Sequence, residues 1–249
     1  MIFEKICLIG CGLIGSSLAR AIKKNKLAKH LVACSRSEET IKKVLKLSIV
    51  DEASSDMKKM VINADLVVVA TPLSTYEDII LKIKDCLKKN TILTDVGSVK
   101  NNIIDLFEKN IPDNISWISS HPIAGTEQSG PEAGFEDLFK NKWCILTPSK
   151  KIKKEDLEKL KKFWEKLGSK IDIMDSKKHD RILSITSHIP HLVAYNIVNT
   201  SLEIENSDKM NIVKYSAGGL RDFTRIAASN PIMWRDIFLH NQKNTTETI

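Results

Sequence analysis

The stretch Gly10-Cys11-Gly12-Leu13-Ile14-Gly15 decides the fold of this chain. It follows a short apolar run at Lys5–Gly10 and precedes a helical pattern at Leu13–Asn25. Three glycines at this spacing are typical of a dinucleotide-binding turn, which is tight, lets the backbone approach a pyrophosphate and packs its helix closely on its strand. The amides at the start of that helix would hold the phosphates. The predicted cofactor-binding residues here are Gly10, Gly12, Leu13, Ile14 and Gly15.

Strand and helix patterns alternate outward from this turn. Leu66–Ala70 is a run of apolar and β-branched residues, as expected for a strand buried on both faces of a parallel sheet. It ends at Thr71-Pro72, a strand terminator that we add to the cofactor-binding set. Further strands are predicted at Leu31–Ser35, Thr91–Asp95, Ser116–Ser120, Trp143–Leu146 and Lys170–Met174, and further helices from Ser37 to about Leu47 and at Tyr76–Lys88, Lys100–Asn110 and Glu155–Leu167. The order predicts an α/β fold, a Rossmann-type doubly wound parallel sheet, over residues 1–174.

The strand patterns stop after about Asp175, and helical patterns follow. These lie at Ser176–Ser187, His191–Ser201, Met210–Ser216 and Pro231–Asn244, with predicted breaks at Pro190, Gly218-Gly219 and Pro231. We therefore predict a small all-helical domain over residues 175–249. A helical unit of this size buries little apolar surface alone, so it is expected to lean on the first domain or on a second subunit.

Composition excludes several classes of function. The 249 residues are 42% hydrophobic and 28% charged, which is typical of a soluble globular protein. No apolar run is long enough to cross a bilayer and no signal segment opens the chain, so we predict a cytoplasmic protein without a membrane partner. The five cysteines are scattered and lack metal-ligand spacing, so no metal site is predicted. The net charge of +7 is spread over helix faces and one cluster at Lys150–Lys154, without interleaved aromatics, so no nucleic-acid partner is predicted.

The residues after the second strand bear on the choice of cofactor. An acidic residue at this position would hold the ribose 2′-hydroxyl of NAD. This chain has Ser35, Arg36 and Ser37 instead, which could donate hydrogen bonds to a 2′-phosphate. We predict NADP in preference to NAD, with NAD use left open; the alternative is that Arg36 is a solvated loop residue.

His121 is the main candidate for catalysis. It follows the apolar run at Trp117-Ile118 and should sit at the carboxyl end of a strand, where ligands bind in open α/β sheets. Two glycines and Pro122 shape the loop around it, with Gly130 and Gly134 close behind. A lone histidine at a strand end is often structural, so the residues around it have to decide between the two readings.

The chain resembles the prephenate/arogenate (cyclohexadienyl) dehydrogenase family of tyrosine biosynthesis. The stretches that carry the resemblance are Gly10–Ser17, Asp95–Lys100, His121–Glu127, Thr186–His191, Gly218–Ala227 and Pro231–Trp234. They occur in the family's order and cover nearly the whole chain. The resemblance implies oxidative decarboxylation of prephenate, arogenate or both, with hydride transfer to NAD(P), and a homodimer formed through the helical domain.

The resemblance also implies roles for individual residues. His121 matches the catalytic histidine that accepts a hydrogen bond from the C4 hydroxyl. Ser98 matches the serine that orients both that histidine and the hydroxyl. Arg225 matches the arginine at the ring carboxylate. His191 matches a residue that binds the substrate side chain, with Ser187 or His188 nearby, and Arg221, Asp222 and Glu127 match an ionic gate or, alternatively, a structural salt-bridge cluster. His179 could be functional or structural.

Two other readings stay open. A β-hydroxyacid dehydrogenase would have a similar scaffold, but it is expected to use a catalytic lysine on a helix of its second domain. A cofactor-binding sensor without turnover would have little reason to keep His121, Ser98 and Arg225 together. The choice between prephenate and arogenate, both small molecules with two carboxylates, is not decided by these residues.

Overall fold

The structure is a computed structural model that describes residues 1–149, 152–208 and 211–249. The chain divides into two compact units, Met1–His179 and Asp180–Ile249. The predicted lysine cluster at Lys150–Lys154 and the predicted helix at Met210–Ser216 lie partly outside the described residues. In the part of the chain that is described, no helix is both long and apolar enough to span a membrane.

The first unit contains one eight-stranded sheet. Its strands are β1 (Phe3–Ile9), β2 (Ala28–Cys34), β3 (Glu52–Ser54), β4 (Leu66–Val69), β5 (Ile92–Asp95), β6 (Ser116–Pro122), β7 (Trp143–Pro148) and β8 (Lys170–Ile173). Its helices are α1 (Leu13–Lys24), α2 (Glu38–Lys46), α3 (Met57–Val61), α4 (Tyr76–Ile83), α5 (Asn101–Asn110) and α6 (Lys154–Lys166). The strand order is β3-β2-β1-β4-β5-β6-β7-β8.

The predicted Rossmann-type sheet is confirmed. β1 pairs in parallel with β2 and β4, with Ile6 opposite Leu31 on one side and Leu66 on the other. All four residues of β4 are buried, as the β-branched run predicted. Helices cover the sheet; in one layer the ring of Phe3 contacts Phe163 of α6 edge-on, with centroids 5.9 Å apart.

Three details of this unit differ from the prediction. β7 runs antiparallel to β6, with His121 opposite Ile145, so the sheet is not entirely parallel. Strand direction depends on long-range pairing, which residue patterns within one strand do not encode. The short elements β3 and α3 were not predicted. α4 ends at Ile83 and a 3₁₀ turn, Lys84–Cys86, replaces its predicted last residues.

All regular elements described from α7 to the end of the chain are helices; α7 leads from the first unit into the second. The helices are α7 (Ser176–Leu183), α8 (Ile189–Asp208), α9 (Gly218–Ala227), α10 (Pro231–His240) and α11 (Gln242–Thr248). The division between the compact units falls after His179, within α7, whereas we predicted a domain boundary after residue 174.

Two predicted helix breaks were wrong. Pro190 does not interrupt the helix, because a π-helical turn at Ser184–His188 joins α7 to α8 and its shifted hydrogen-bond pairing accommodates a residue without an N–H. Gly218-Gly219 begins α9 instead of separating helices, and glycine costs little in a first turn. Pro231 is the first residue of α10, and the predicted helix to Asn244 divides at Asn241.

Candidate active site

Of the three glycines in the turn between β1 and α1, only Gly12 faces open space that a ligand could occupy. Gly10 has φ of +97°, and a Cβ there would lie 2.4 Å from the Ala70 carbonyl oxygen. A Cβ on Gly15 would lie 2.1 Å from the Gly10 carbonyl oxygen, so the turn packs tightly on itself. A Cβ on Gly12 would meet no protein atom within 4 Å. The open side of this turn fits the pyrophosphate of a dinucleotide, which needs close backbone approach at that glycine.

The start of α1 presents unpaired amides to the same space. Gly12 is the N-cap residue and provides no side-chain cap, and the first turn of the helix carries no acidic side chain. The first N–H groups of a helix lack intrahelical acceptors, and the helix dipole favours an anion there. The Ser16 hydroxyl donates to the Gly12 carbonyl oxygen at 2.7 Å, which braces the turn. The amides of Leu13 and Ile14 are therefore placed to bind phosphate oxygens.

The glycine turn lies where the strand order reverses. β1 is flanked by β2 on one side and by β4 on the other, and such a switch point is the usual ligand site of an open α/β sheet. The loop after β4 borders the turn, because the Thr71 methyl carbon lies 2.8 Å from where a Gly10 Cβ would stand. The Thr75 hydroxyl donates to Thr71 Oγ1 at 2.8 Å and so closes this loop. The structure thus places Thr71 at the candidate cofactor site, with Pro72 next to it.

The end of β2 carries the side chains predicted to select the cofactor. The Ser35 hydroxyl accepts a hydrogen bond from the Ser37 amide at 3.3 Å, and the Ser37 hydroxyl accepts from the Thr40 amide at 3.2 Å. Ser37 is therefore the N-cap of α2, as the sequence predicted. Both hydroxyls keep their own protons for donation, and Arg36 between them is exposed.

Three thiols lie in or near this region and are protonated. Burial raises the pKa of Cys11, within the glycine turn, to about 12 and that of Cys34, at the end of β2, to about 11. Burial likewise raises the pKa of Cys7 in β1 far above its usual range. These side chains act as small apolar groups.

A buried carboxylate organises the ends of β5 and β6. Asp95 Oδ2 accepts hydrogen bonds from the Gly97 amide at 2.9 Å, from the Tyr76 hydroxyl at 3.2 Å and from Lys100 Nζ at 2.5 Å. Burial, and then the neighbouring carboxylate of Asp95, raise the pKa of Tyr76 well above its usual range, so the phenol stays a donor. Three hydrogen-bond donors therefore fix the position of Asp95 Oδ2.

The same network reaches the strand that carries His121. Asp95 Oδ1 accepts from the Ser119 hydroxyl at 2.7 Å and from the Ser120 amide at 3.2 Å. Lys100 Nζ also donates to the Ser120 carbonyl oxygen at 2.9 Å. The side chains of Asp95 and Lys100 are fully buried, so this ion pair is shielded from water. The peptide groups on both sides of Ser120 are thus fixed immediately before His121.

His121 is the penultimate residue of β6 and is 7% exposed. Its Nδ1 lies 2.9 Å from Nε2 of His179, which is itself fully buried on α7. The two rings meet edge to face, with centroids 5.1 Å apart and an interplanar angle of 61°. The predicted neighbour Ser98 is half-buried in the loop after β5, and Glu127 is exposed in the loop after β6.

In the second unit, His191 is held by a ring stack. Its imidazole lies parallel to the indole of Trp234, with centroids 3.6 Å apart and an interplanar angle of 18°. Its Nδ1 lies 2.9 Å from the Ser187 carbonyl oxygen, so Nδ1 carries the proton and donates it. Burial lowers the pKa of His191, and the positive charge of Arg225 lowers it further. His191 is therefore a neutral imidazole whose Nε2 can accept a hydrogen bond.

His188 is fully buried next to Trp234. The ring centroids of His188 and Trp234 are 6.2 Å apart at 76°. The Asn241 amide nitrogen lies 3.0 Å from His188 Nδ1 and donates to the Asp180 carbonyl oxygen at 2.9 Å. Because an amide nitrogen can only donate, Nδ1 of His188 is the acceptor.

The arginines predicted to meet the substrate lie on α9. The side chain of Arg225 is 60% exposed, and its guanidinium lies 4.0 Å from the carboxylate of Asp222. Arg221 is exposed as well. The gate predicted from Arg221, Asp222 and Glu127 combines residues of both units and stays a prediction.

The chain is similar to known proteins over most of its length. Residues 18–173 match the family model of the prephenate dehydrogenase nucleotide-binding domain, and residues 175–249 match that of the prephenate dehydrogenase dimerization domain. A cyclohexadienyl dehydrogenase of Zymomonas mobilis is 38% identical over 96% of this chain and 82% of its own length. A prephenate dehydrogenase of Bacillus subtilis is 36% identical over 96% of this chain, which spans 64% of that relative.

A solved structure is also similar. It is the prephenate dehydrogenase of A. aeolicus in complex with hydroxyphenyl propionate and NAD⁺, with a TM-score of 0.91 and 34% identity over 98% of this chain and 85% of that one. The chain belongs to the prephenate dehydrogenase family. Together with the glycine turn, the nucleotide-binding family domain identifies an NAD(P)-dependent dehydrogenase.

Several residues of the site were not predicted as members. Asp95, Lys100 and Trp234 lie in the stretches that carried the family resemblance, yet no role was assigned to them. Their signal was weak, because charged residues are rarely fully buried and an aromatic residue on a helix is most often part of a core. Asn241, which contacts His188, gave no signal in the sequence. His179 was ambiguous, and its contact with His121 spans 58 residues of chain.

Proposed function

We propose that the protein catalyses the NAD(P)-dependent oxidative decarboxylation of prephenate to 4-hydroxyphenylpyruvate, of arogenate to tyrosine, or of both. The observation that carries the proposal is the position of His121 at the carboxyl edge of the sheet that also holds the glycine turn. β2 and β6 lie on opposite sides of β1 and β4, so a dinucleotide with its adenosine over β2 would extend its nicotinamide toward β5 and β6.

The proposed reaction combines a hydride transfer, a proton transfer and the loss of carbon dioxide. NAD(P), held by the glycine turn and the first amides of α1, would supply the hydride acceptor for C4 of the substrate ring. Loss of that hydride makes the C4 hydroxyl acidic, and a neutral imidazole at His121 accepts its proton. The ring carboxylate then leaves as carbon dioxide, its bonding electrons complete the aromatic ring, and the proton can return to the phenolic oxygen. Ser98 is proposed to orient the hydroxyl toward His121.

The second unit is proposed to hold the substrate carboxylates and side chain. Arg225 is exposed and offers a planar fork suited to a carboxylate. His191 offers Nε2 as an acceptor, which can receive a hydrogen bond from the ammonium group of arogenate but not from the keto or carboxylate oxygens of prephenate. Ser187 and His188 lie within one helical turn of it. Arg221, Asp222 and Glu127 are proposed as a charged gate at the substrate entrance.

NADP is proposed as the preferred cofactor. In the range 35–37 the chain offers two hydroxyls and an exposed guanidinium, without the acidic residue that NAD-selective turns use. Arg36→Ala should lower kcat/KM for NADP by about tenfold, the effect of losing one charge-assisted contact, and leave that for NAD nearly unchanged. Equal losses with both cofactors would contradict this preference.

A homodimer is proposed through the helical unit. The match to a dimerization domain supports it, and so do large apolar side chains that the helices leave exposed. These include Ile185, Val193, Leu202, Ile232 and Leu239. Light scattering should give twice the chain mass of 28.0 kDa; a monomer at all working concentrations would contradict the proposal.

The central experiment measures the near-ultraviolet absorbance of the reduced nicotinamide. Prephenate and arogenate are each tested with NAD and with NADP. Turnover in any combination supports the reaction, and the largest kcat/KM identifies substrate and cofactor. A folded protein that binds cofactor but turns over neither substrate would overturn the proposal.

A further inference from the structure

We infer that His179 is a positioning residue that fixes the tautomer of His121 by accepting a hydrogen bond from its Nδ1. The inference rests on the proposed function and adds a residue to the machinery of the same site. It begins from the contact itself, His121 Nδ1 to His179 Nε2 at 2.9 Å, between two rings that are 7% and 0% exposed.

The distance restricts where protons can be. Two imidazole nitrogens at 2.9 Å cannot both carry hydrogen, because the two N–H groups would collide. One facing nitrogen must therefore be bare, so a single proton lies between the rings. Either His121 donates from Nδ1 or His179 donates from Nε2.

The two arrangements have opposite chemical consequences. If His179 donated, neutral His121 would carry its only proton on Nε2, and no ring nitrogen would be left to accept the substrate proton. If His179 accepts, neutral His121 carries its proton on Nδ1 and presents a bare Nε2. Only the second arrangement provides a base at the edge of the sheet, as the proposed reaction requires.

The backbone around both rings is fixed, so this contact orients the imidazole of His121. The strand before His121 is held by Asp95 and Lys100 through Ser120. On α7, the Lys178 amide donates to the Asp175 carboxylate at 3.0 Å, and the His179 amide donates to the Asp175 carbonyl oxygen at 3.0 Å. These hydrogen bonds fix the backbone of the first turn of α7, and with it the position of His179.

A side-chain hydrogen bond also joins the start of α7 to the start of α5, the helix that follows β5. The Ser176 hydroxyl donates to the Asn101 side-chain oxygen at 3.3 Å, and Asn101 directly follows the buried Lys100. His179 is therefore tied to the network that holds the strand of His121. The two rings meet because both of their elements are anchored on Asp95, Lys100 and the first residue of α5.

Because His179 is a neutral acceptor, it affects how His121 carries the charge of an added proton. When the proton of the C4 hydroxyl transfers to Nε2 of His121, the O–H bond breaks, an N–H bond forms, and the positive charge is shared along the Nδ1–H···Nε2 bond to His179. Because His179 adds no negative charge, it stabilises the imidazolium less than a carboxylate would.

The first test is spectroscopic and does not depend on turnover. In protein labelled with ¹⁵N-histidine, with His121 assigned from His121→Asn, the neutral ring should carry its proton on Nδ1 and have a bare Nε2. In His179→Ala both tautomers should be present. A proton on Nε2 of His121 in the unsubstituted protein would overturn the inference, whether or not the enzyme turns over.

The second test separates positioning from structural support. His179→Ala should lower kcat roughly tenfold to a hundredfold, as the loss of an orienting partner does, and change KM little. His179→Gln should recover most of kcat, because its amide oxygen can accept the same hydrogen bond. The control is His30→Gln, whose half-exposed ring lies 3.8 Å from the surface carboxylate of Asp51; this substitution should have no effect.

The outcomes distinguish the two proposals. A His179→Ala enzyme with unchanged kcat would overturn the role of His179. If that variant does not fold, His179→Gln and the spectrum of the unsubstituted protein still decide. Absence of turnover in the unsubstituted protein would remove the proposed reaction, while its tautomer would still report the direction of the hydrogen bond.

Discussion

The two candidate histidines, His121 and His191, are held in different ways. His121 is part of a strand whose neighbouring peptide groups are bound by a fully buried ion pair. His191 lies on a helix and is held by one hydrogen bond within its own turn and by one parallel ring stack. The first arrangement depends on buried charge, where removal of one partner is costly. The second depends on apolar contact, where losses are graded.

The largest expected effect comes from breaking the ion pair beneath His121. Lys100→Met should destabilise the protein by about 3–5 kcal/mol, because the carboxylate of Asp95 would remain buried without its cation. Urea unfolding measures the change. The matched control is Lys88→Met, since Lys88 pairs with Asp65 at 2.6 Å where the two side chains are 38% and 20% exposed. That variant should lose only about 0–1 kcal/mol. Equal losses would mean that burial does not distinguish the two pairs.

The stack beneath His191 should give a smaller effect on stability. Trp234→Ala should cost about 3 kcal/mol, the lower end for a buried tryptophan, because Trp234 is 6% exposed. Trp234→Phe should retain much of the stack and lose less. The Kd for NAD(P), measured by calorimetry, should not change in either variant, whereas KM for the substrate should rise. A weakened cofactor Kd would show that the two histidine regions are not independent.

The positive charge of Arg225 near His191 can be tested through the pKa of the imidazole. The pKa of His191 lies below its ordinary 6.5 because burial disfavours the imidazolium, and Arg225 adds repulsion. The neutral ring therefore contributes stability that is present above 6.5 and is lost as pH falls through the lowered pKa. Arg225→Leu should raise the pKa of His191 only slightly, because water screens an exposed guanidinium. An NMR titration of the ring measures it, and a pKa that falls would contradict the expected sign.

The helix caps test local structure in each unit. Ser37 caps α2 by accepting from the Thr40 amide at 3.2 Å, and Asn230 caps α10 by accepting from the Met233 amide at 3.0 Å. Ser37→Ala and Asn230→Ala should each cost about 1 kcal/mol. Thermal unfolding compares them directly. A much larger loss in either variant would point to a role beyond capping.

The parts of the fold that were predicted depend on neighbouring residues. The glycine turn, the apolar run at Leu66–Ala70 and the Ser37 cap each leave a local pattern that indicates one structure. The antiparallel direction of β7 and the three residues of β3 depend on distant pairing, so the sequence did not indicate them. The π-helical turn before Pro190 was missed for a related reason, because proline usually ends a helix unless hydrogen-bond pairing shifts.

The same distinction applies to the site. His121 could be predicted because a strand pattern leads directly to it. Its partner His179 lies 58 residues away, and the burial of Lys100 results from an ion pair and a backbone carbonyl that only the folded chain brings together. Charged residues are usually exposed, so a sequence pattern alone favours the wrong environment for Lys100.

The buried thiols have a practical consequence for labelling. Burial keeps Cys7, Cys11, Cys34 and Cys144 protonated, and the thiolate is the form that reacts with maleimides. Cys86 is only half-buried, in the 3₁₀ turn after α4. A fluorophore offered near neutral pH should therefore attach at Cys86 alone. The native chain would then carry a single reporter on its nucleotide-binding unit, without any cysteine being replaced.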